Sequence, residues 1–188
     1  MLRENFCSEN IINEYQDKSY ISCLLCELSY GYYSFLYSAI IFPTILSSSI
    51  LTILNSSEID KDIIKIINIV INGINTILLA INSNFKLNDR FNHFKNMKIK
   101  FNNLNHKIES DKNKKLNDPS YIINIDEIIN TFDTLYNDLS YQFPIHIKNK
   151  IIKKYGNKRK LPNSLQIEVE TPTIATIAFG ERSEIANF

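Results

Sequence analysis

The chain has 188 residues, enough for one compact domain or one membrane module with attachments, and cramped for two domains. Its 21 basic and 20 acidic side chains nearly cancel, so no global field draws it to nucleic acid and any electrostatic partner must act through local clusters. Three cysteines, Cys7, Cys23 and Cys26, are too few and too unevenly placed for a disulfide framework, which points to a reducing compartment.

Residues 1–31 form an N-terminal amphipathic segment. Glu4, Glu9, Glu14 and Asp17 interrupt any apolar run there, so no signal peptide is expected and membrane insertion would have to be directed from inside the chain. The stretch from Ser8, a candidate N-cap, reads as a helix broken near Gly31. Cys23 and Cys26 form a C-x-x-C, but a structural zinc site needs four ligands, and His93, His106 and His146 lie far downstream. The pair reads instead as two small apolar residues on one helix face, and neither metal nor other cofactor is expected.

Between Glu27 and Glu58 no residue is charged. A helix over Tyr33 to Leu54 would span about 33 Å, and a second neutral run, Ile66 to Phe85, about 30 Å, each matching the hydrocarbon thickness of a bilayer. The link Asn55 to Lys65 is short and carries Glu58, Asp60, Lys61, Asp62 and Lys65, so residues 32–85 are predicted to form a two-helix transmembrane hairpin with both chain ends on one side. Lys86, Arg90, Lys95, Lys98, Lys100 and Lys107 follow the second span, and by the positive-inside rule that side, holding both termini, is the cytoplasm.

Polar residues inside the spans fall on stripes. Ser34, Ser38, Ser48, Thr52 and Asn55 share one face of the first helix, and Asn68, Asn72, Asn75 and Asn82 share one face of the second. Amides facing lipid have nothing to bond, so these residues are expected to form a helix-packing or pore seam. Pro43 should bend the first helix. The same stripes would suit a soluble bundle with its amides toward water. The absence of charge and the aromatic cluster Tyr30, Tyr32, Tyr33, Phe35 and Tyr37, which suits an interfacial belt, favour the membrane.

Residues 86–160 are predicted to be a cytosolic helical region. Leu87, Phe91, Phe94, Phe101, Leu104 and Ile108 recur at near-heptad spacing, so the second span should run on as an amphipathic helix to about Glu109 and pair with another helix. Residues 110–120 read as a polar loop. An apolar stripe from Ile125 to Leu139, capped by Asn124 or Ser120, forms the next helix, packed antiparallel to that extension. Pro144 suits the first turn of a third, and Gly156 its end. Lys86, Arg90, Lys95, Lys153 and Lys154 are candidate lipid-headgroup contacts. The basic cluster at 148–160 lacks interleaved aromatics, so nucleic acid is not the expected partner. From Leu161 to Phe188 the chain, with Pro162 and Pro172, reads as an extended tail suited to docking on a neighbour.

The order of "FPTILSSSILTI", "INGINTI", "FKLNDRFNHFKNMKIKFNNLNHKIE" and "FDTLYNDLSYQFPIHIKNKIIKKYG" resembles the SLATT superfamily of two-transmembrane proteins over residues 30–160, with the closest likeness to versions encoded by large DNA viruses. His93, Phe101 and Leu104 match the His, aromatic and aliphatic positions of that pattern, whereas Phe143-Pro144 stands where the family has Ser-Pro. The resemblance implies an all-α membrane hairpin with a cytosolic helical extension, and pore formation in bacterial relatives.

No nucleophile elbow or Walker loop is present, and Gly31, Gly73, Gly156 and Gly180 build no phosphate cradle. His93 and His106 are too far apart on one helix to share a metal. The chain is therefore not expected to be an enzyme. Three readings follow: a homo-oligomeric membrane protein that forms a pore or perturbs the bilayer through its polar seams, a structural anchor of a viral internal membrane that holds viral proteins through its tail, and a soluble helical interaction module.

Overall fold

A computed structural model describes residues 2–56, 60–156, 158–162 and 165, with side chains from Glu9 onward. The described residues are all-helical, without a strand. The elements are α1 (Leu2–Asn55), α2 (Lys61–Phe85), α3 (Leu87–Asn117), α4 (Ile125–Asn137) and α5 (Ile145–Tyr155).

The 54 residues of α1 make a rod about 80 Å long. It runs without interruption through Ser8, Gly31 and Pro43, so the expected cap and break are both absent. A mid-helix glycine costs only about 1 kcal/mol against alanine. Around Gly31 the neighbouring side chains override that: Tyr30 stacks on Phe91 with ring centroids 5.0 Å apart, and Tyr33 stacks on Phe94 at 5.7 Å.

Helices α2 and α3 return along this rod in sequence. Asn68 meets Asn55 and Asn75 meets Ser47, then Arg90 meets Tyr33, Phe101 meets Ser19, and Lys112 meets Gln16 and Asn13. Both are thus antiparallel to α1, one after the other.

The expected continuous helix from the second apolar run is broken at one residue, Lys86, which adopts the left-handed conformation (φ 48°, ψ 44°). Its N–H caps α2 by donating to the Asn82 and Ser83 carbonyls. Side-chain phase explains the break. Asn68, Asn75 and Asn82 face α1 at heptad spacing, and an unbroken helix would turn Asp89, Asn96 and Asn103 inward next. The turn at Lys86 instead presents Leu87, Phe94, Phe101 and Ile108, all buried. Burying such side chains contributes about 1.5–3 kcal/mol each, which outweighs the roughly 1–2 kcal/mol cost of a left-handed non-glycine residue.

Helix α3 extends beyond Glu109 to Asn117, so the first half of the expected 110–120 loop is helical. Asp111 is the reason for order here. It is 8% exposed, accepts hydrogen bonds from Tyr121 Oη and Lys114 Nζ, both at 3.0 Å, and thereby ties the loop after α3 back onto the helix.

Asn124, not Ser120, caps α4, its side chain accepting from the Glu127 N–H at 3.1 Å. Asn124→Ala should cost about 1 kcal/mol, seen as a lowered midpoint in thermal unfolding. Ion pairs from Lys107 to Glu127 and Lys100 to Asp138 lay α4 antiparallel to α3. Pro144 sits at the N-cap of α5, one residue earlier than expected.

The core lies where α1, α3, α4 and α5 meet, around Ile21, Leu25, Phe94, Phe101, Ile108, Ile128 and Ile151. Leu161, Pro162 and Leu165 are also buried, so the first residues of the expected extended tail belong to this head. The rest of that tail, and its proposed docking, lies outside the described residues.

Candidate functional site: the apolar helix pair

Among the described residues, the part of α1 beyond Tyr37 packs on α2 alone. Each is long and apolar enough to cross a membrane, and only 6% of the most apolar window of each is buried. Phe35, Phe42, Ile45, Leu46, Ile50 and Ile53 point outward from α1, as do Ile66, Ile69, Val70, Ile74 and Ile77 from α2. Several are more than 60% exposed, a large apolar surface for one chain in water.

Four polar side chains bond across the pair. Ser47 Oγ donates to Asn75 Oδ1 at 2.8 Å, and Asn68 Nδ2 donates to Asn55 Oδ1 at 2.9 Å. Leu51 is buried between these two bonds. Asn82 is half-buried, and its Oδ1, like that of Asn68, has no donor. The pair thus carries hydrogen-bonded amides between its helices and a mostly apolar outer surface, unlike a water-soluble helix pair.

Within one chain only part of the expected seam faces a neighbouring helix. Ser38, Ser48 and Thr52 are exposed, and Ser34 is only partly buried. The face of α1 turned to α2 runs through Thr44, Ser47, Leu51 and Leu54, so Ser47 and Leu51 stand one residue before Ser48 and Thr52 and about 100° round the helix, and the same face continues through Tyr37 and Tyr33 onto α3. Ser47 was missed because three consecutive serines leave the phase undetermined. Hydroxyl chemistry alone does not single it out, because Ser47 Oγ also lies 3.0 Å from the Thr44 carbonyl. Ser48, Ser49 and Thr52 donate to carbonyls one turn back, at 2.8, 3.0 and 3.0 Å, so their hydroxyls are satisfied without a neighbour. An amide has no such local outlet, so the asparagines set the register. Asn72 is the exception: it is exposed on the outer side of α2.

The expected helix-pairing residues lie on the inner side of α3, against α1 at Phe91 and Phe94 and against α4 at Phe101. Leu87, Phe94, Phe101, Leu104 and Ile108 are buried, and Phe91 is half-buried between Tyr30 and Tyr37.

The candidate headgroup cations separate into groups. Lys86 is exposed at the end of α2. Arg90 is turned inward, donating to Tyr33 Oη at 3.0 Å, with its guanidinium 5.5 Å from the Tyr33 ring and 5.4 Å from that of Tyr141. It fastens α1, α3 and the α4–α5 connector together. Lys95 is exposed about 14 Å along the rod from Lys86. Helix α5 starts beside Tyr32, where His146 lies 4.7 Å from its ring, and runs away from the apolar pair until Tyr155 meets Tyr20. That places Lys153 and Lys154, both exposed, about 11–12 Å from the level of Tyr32.

Two further features concern chemistry. Cys26 is buried and Cys23 half-buried, its thiol donating to the Lys98 carbonyl at 3.6 Å. Burial pushes both thiols above their ordinary range, so they are protonated core residues rather than nucleophiles. Among the described residues no three His, Cys, Asp or Glu side chains converge as metal ligands. A shallow cavity of about 430 Å³ is lined by His93, Asn96, Met97, Ile99, Lys100, Asp138 and Ser140. The His93 ring packs edge-on to Tyr141 at 5.2 Å, and its Nε2 is buried without a partner.

No protein-family model, curated protein or solved structure matches the chain.

Proposed function

We propose that the chain is a two-pass membrane protein whose apolar helix pair anchors a helical head at the cytoplasmic surface, where the head holds other components. The observation that carries this is the arrangement of the pair: Ser47–Asn75 and Asn55–Asn68 hydrogen-bonded between the helices, and an outer surface dominated by isoleucine and phenylalanine. Water would reward the opposite arrangement, whereas hydrocarbon penalises unpaired amides and accepts apolar side chains.

In this orientation the lipid boundary falls near Tyr32, Tyr33 and Lys86. Lys86 reaches headgroups, while Lys95, Lys153 and Lys154 lie farther away than their side chains span. The resemblance to SLATT proteins supports the same arrangement. Asn55, Asn68 and Asn75 find their partners within one hairpin, which favours an anchor over a pore. An oligomeric, pore-forming reading draws on Asn72, an amide exposed on α2, and on the exposed hydroxyls of Ser48 and Thr52 on α1.

Carbonate extraction with protease mapping tests the proposal. The protein is expected to stay with the membrane pellet, with both termini cleavable from one side and residues 55–65 from the other. A chain that is monomeric and soluble without detergent overturns it.

A further inference from the structure

We propose that His93 is an acid-sensitive latch: protonating its ring releases the connector between α4 and α5 from α3, at the junction of the head and the apolar helix pair.

The connector, residues 138–144, is held by a short chain of contacts. Tyr141 is packed edge-on to His93 at 5.2 Å on one side and lies 5.4 Å from the Arg90 guanidinium on another. Phe143 packs on Phe94 at 5.4 Å, and Phe94 packs edge-on to His93 at 5.6 Å. His93 therefore touches both the connector and the aromatic residue that seats it.

The surroundings suit a neutral ring. Nε2 is enclosed with no acceptor in reach, so a proton added there would be a buried donor without a partner. The charges that face it are Lys100 from α3 and Asp138 at the end of α4, and Asp138 is already paired with Lys100 at 3.3 Å, while Arg90 is engaged with Tyr33 and Tyr141. Asp89, one turn earlier on α3, is exposed. Burial, first, and Lys100, second, push the His93 pKa below its ordinary value, with Asp138 opposing.

The sign follows from linkage. The fold prefers the neutral ring, so the contribution of His93 is complete above its unfolded pKa of about 6.5 and is lost as pH falls from there through the lowered folded value. Over that window the ring takes up its proton most readily by leaving the aromatic contact, and Tyr141 loses one of its two supports. The latch does not depend on membrane insertion, so its failure and that of the anchor reading are separable.

Hydrogen exchange on the full chain at pH 7.5 and pH 5, corrected for intrinsic rates, tests it. The segment 138–148, including the Ile147 and Lys148 amides that donate to the Pro144 carbonyl, is expected to lose protection severalfold at the lower pH, while α3 from Met97 to Leu104 does not. His93→Gln should abolish that difference. Equal protection at both pH values, or a wild-type response retained in His93→Gln, overturns the proposal. Because the variant can fail to fold, direct NMR titration of His93 in the wild-type chain provides a second check: a pKa at or above about 6.5 also overturns it.

Discussion

Phe94→Ala is expected to destabilise the head by about 3–5 kcal/mol, a large share of the roughly 5–15 kcal/mol typical of a folded domain. Phe94 is 0% exposed and touches three separate parts of the structure: Tyr33 of α1, Phe143 of the connector and His93 of its own helix. Truncation removes the ring's transfer energy and leaves a cavity that rigid aromatic neighbours cannot close. Denaturant unfolding should show a reduced midpoint. Ile122→Ala provides the contrast: that side chain is 87% exposed, and its loss should move stability by no more than about 0.5 kcal/mol. Similar effects from the two changes would mean that the core is not centred where α1, α3 and the connector meet.

The paired change Ile69→Asp with Ile77→Asp should abolish membrane integration while leaving the head folded. Both positions are on the outer side of α2, 65% and 62% exposed. On an aqueous surface such substitutions are nearly neutral, within about 0.5 kcal/mol each. Near the middle of a membrane span each Asp costs about 2.5–3.5 kcal/mol, so the pair shifts the insertion equilibrium by several orders of magnitude. The readout is the fraction of protein retained in carbonate-washed membranes. Unchanged retention, or a wild-type chain never found there, contradicts the anchor proposal, because the two environments differ in this respect by several kcal/mol.

These two expectations draw on different kinds of information. The Ile69 and Ile77 surface was legible from sequence, since neutral runs of this length are composition alone. The heptad-like positions of α3 were legible too: Leu87, Phe94, Phe101, Leu104 and Ile108 form a face whichever neighbour covers it. The Asn124 cap could be narrowed to two candidates from local chemistry. The partner of that face, however, is α1, tens of residues away, and no local periodicity encodes it. The contacts that hold α1 continuous across Gly31 come from Phe91 and Phe94, which a local propensity argument cannot weigh.

The register of the apolar pair was ambiguous for a related reason. A stripe of hydroxyls on α1 can face a neighbour or bond to its own helix, and both choices satisfy it. Only when Asn75 is set against Ser47, and Asn68 against Asn55, does one rotation of α1 win. The Lys86 turn is similar. Lysine has no preference for the left-handed region, and the conformation appears because two heptad series, Asn68–Asn75–Asn82 and Leu87–Phe94–Phe101, must both meet α1 although they are out of phase.

Helical content, the two apolar lengths and the faces of α3 and α4 were therefore present in the order of residues, because they depend on spacing and composition within one helix. Which face of α1 met α2, where Arg90 was spent, why Asp111 ordered the end of α3 and how far Lys153 and Lys154 lay from Tyr32 emerged only with the packed chain. Those outcomes depend on partners distant in sequence, and a polar group's environment is settled by what finally stands opposite it.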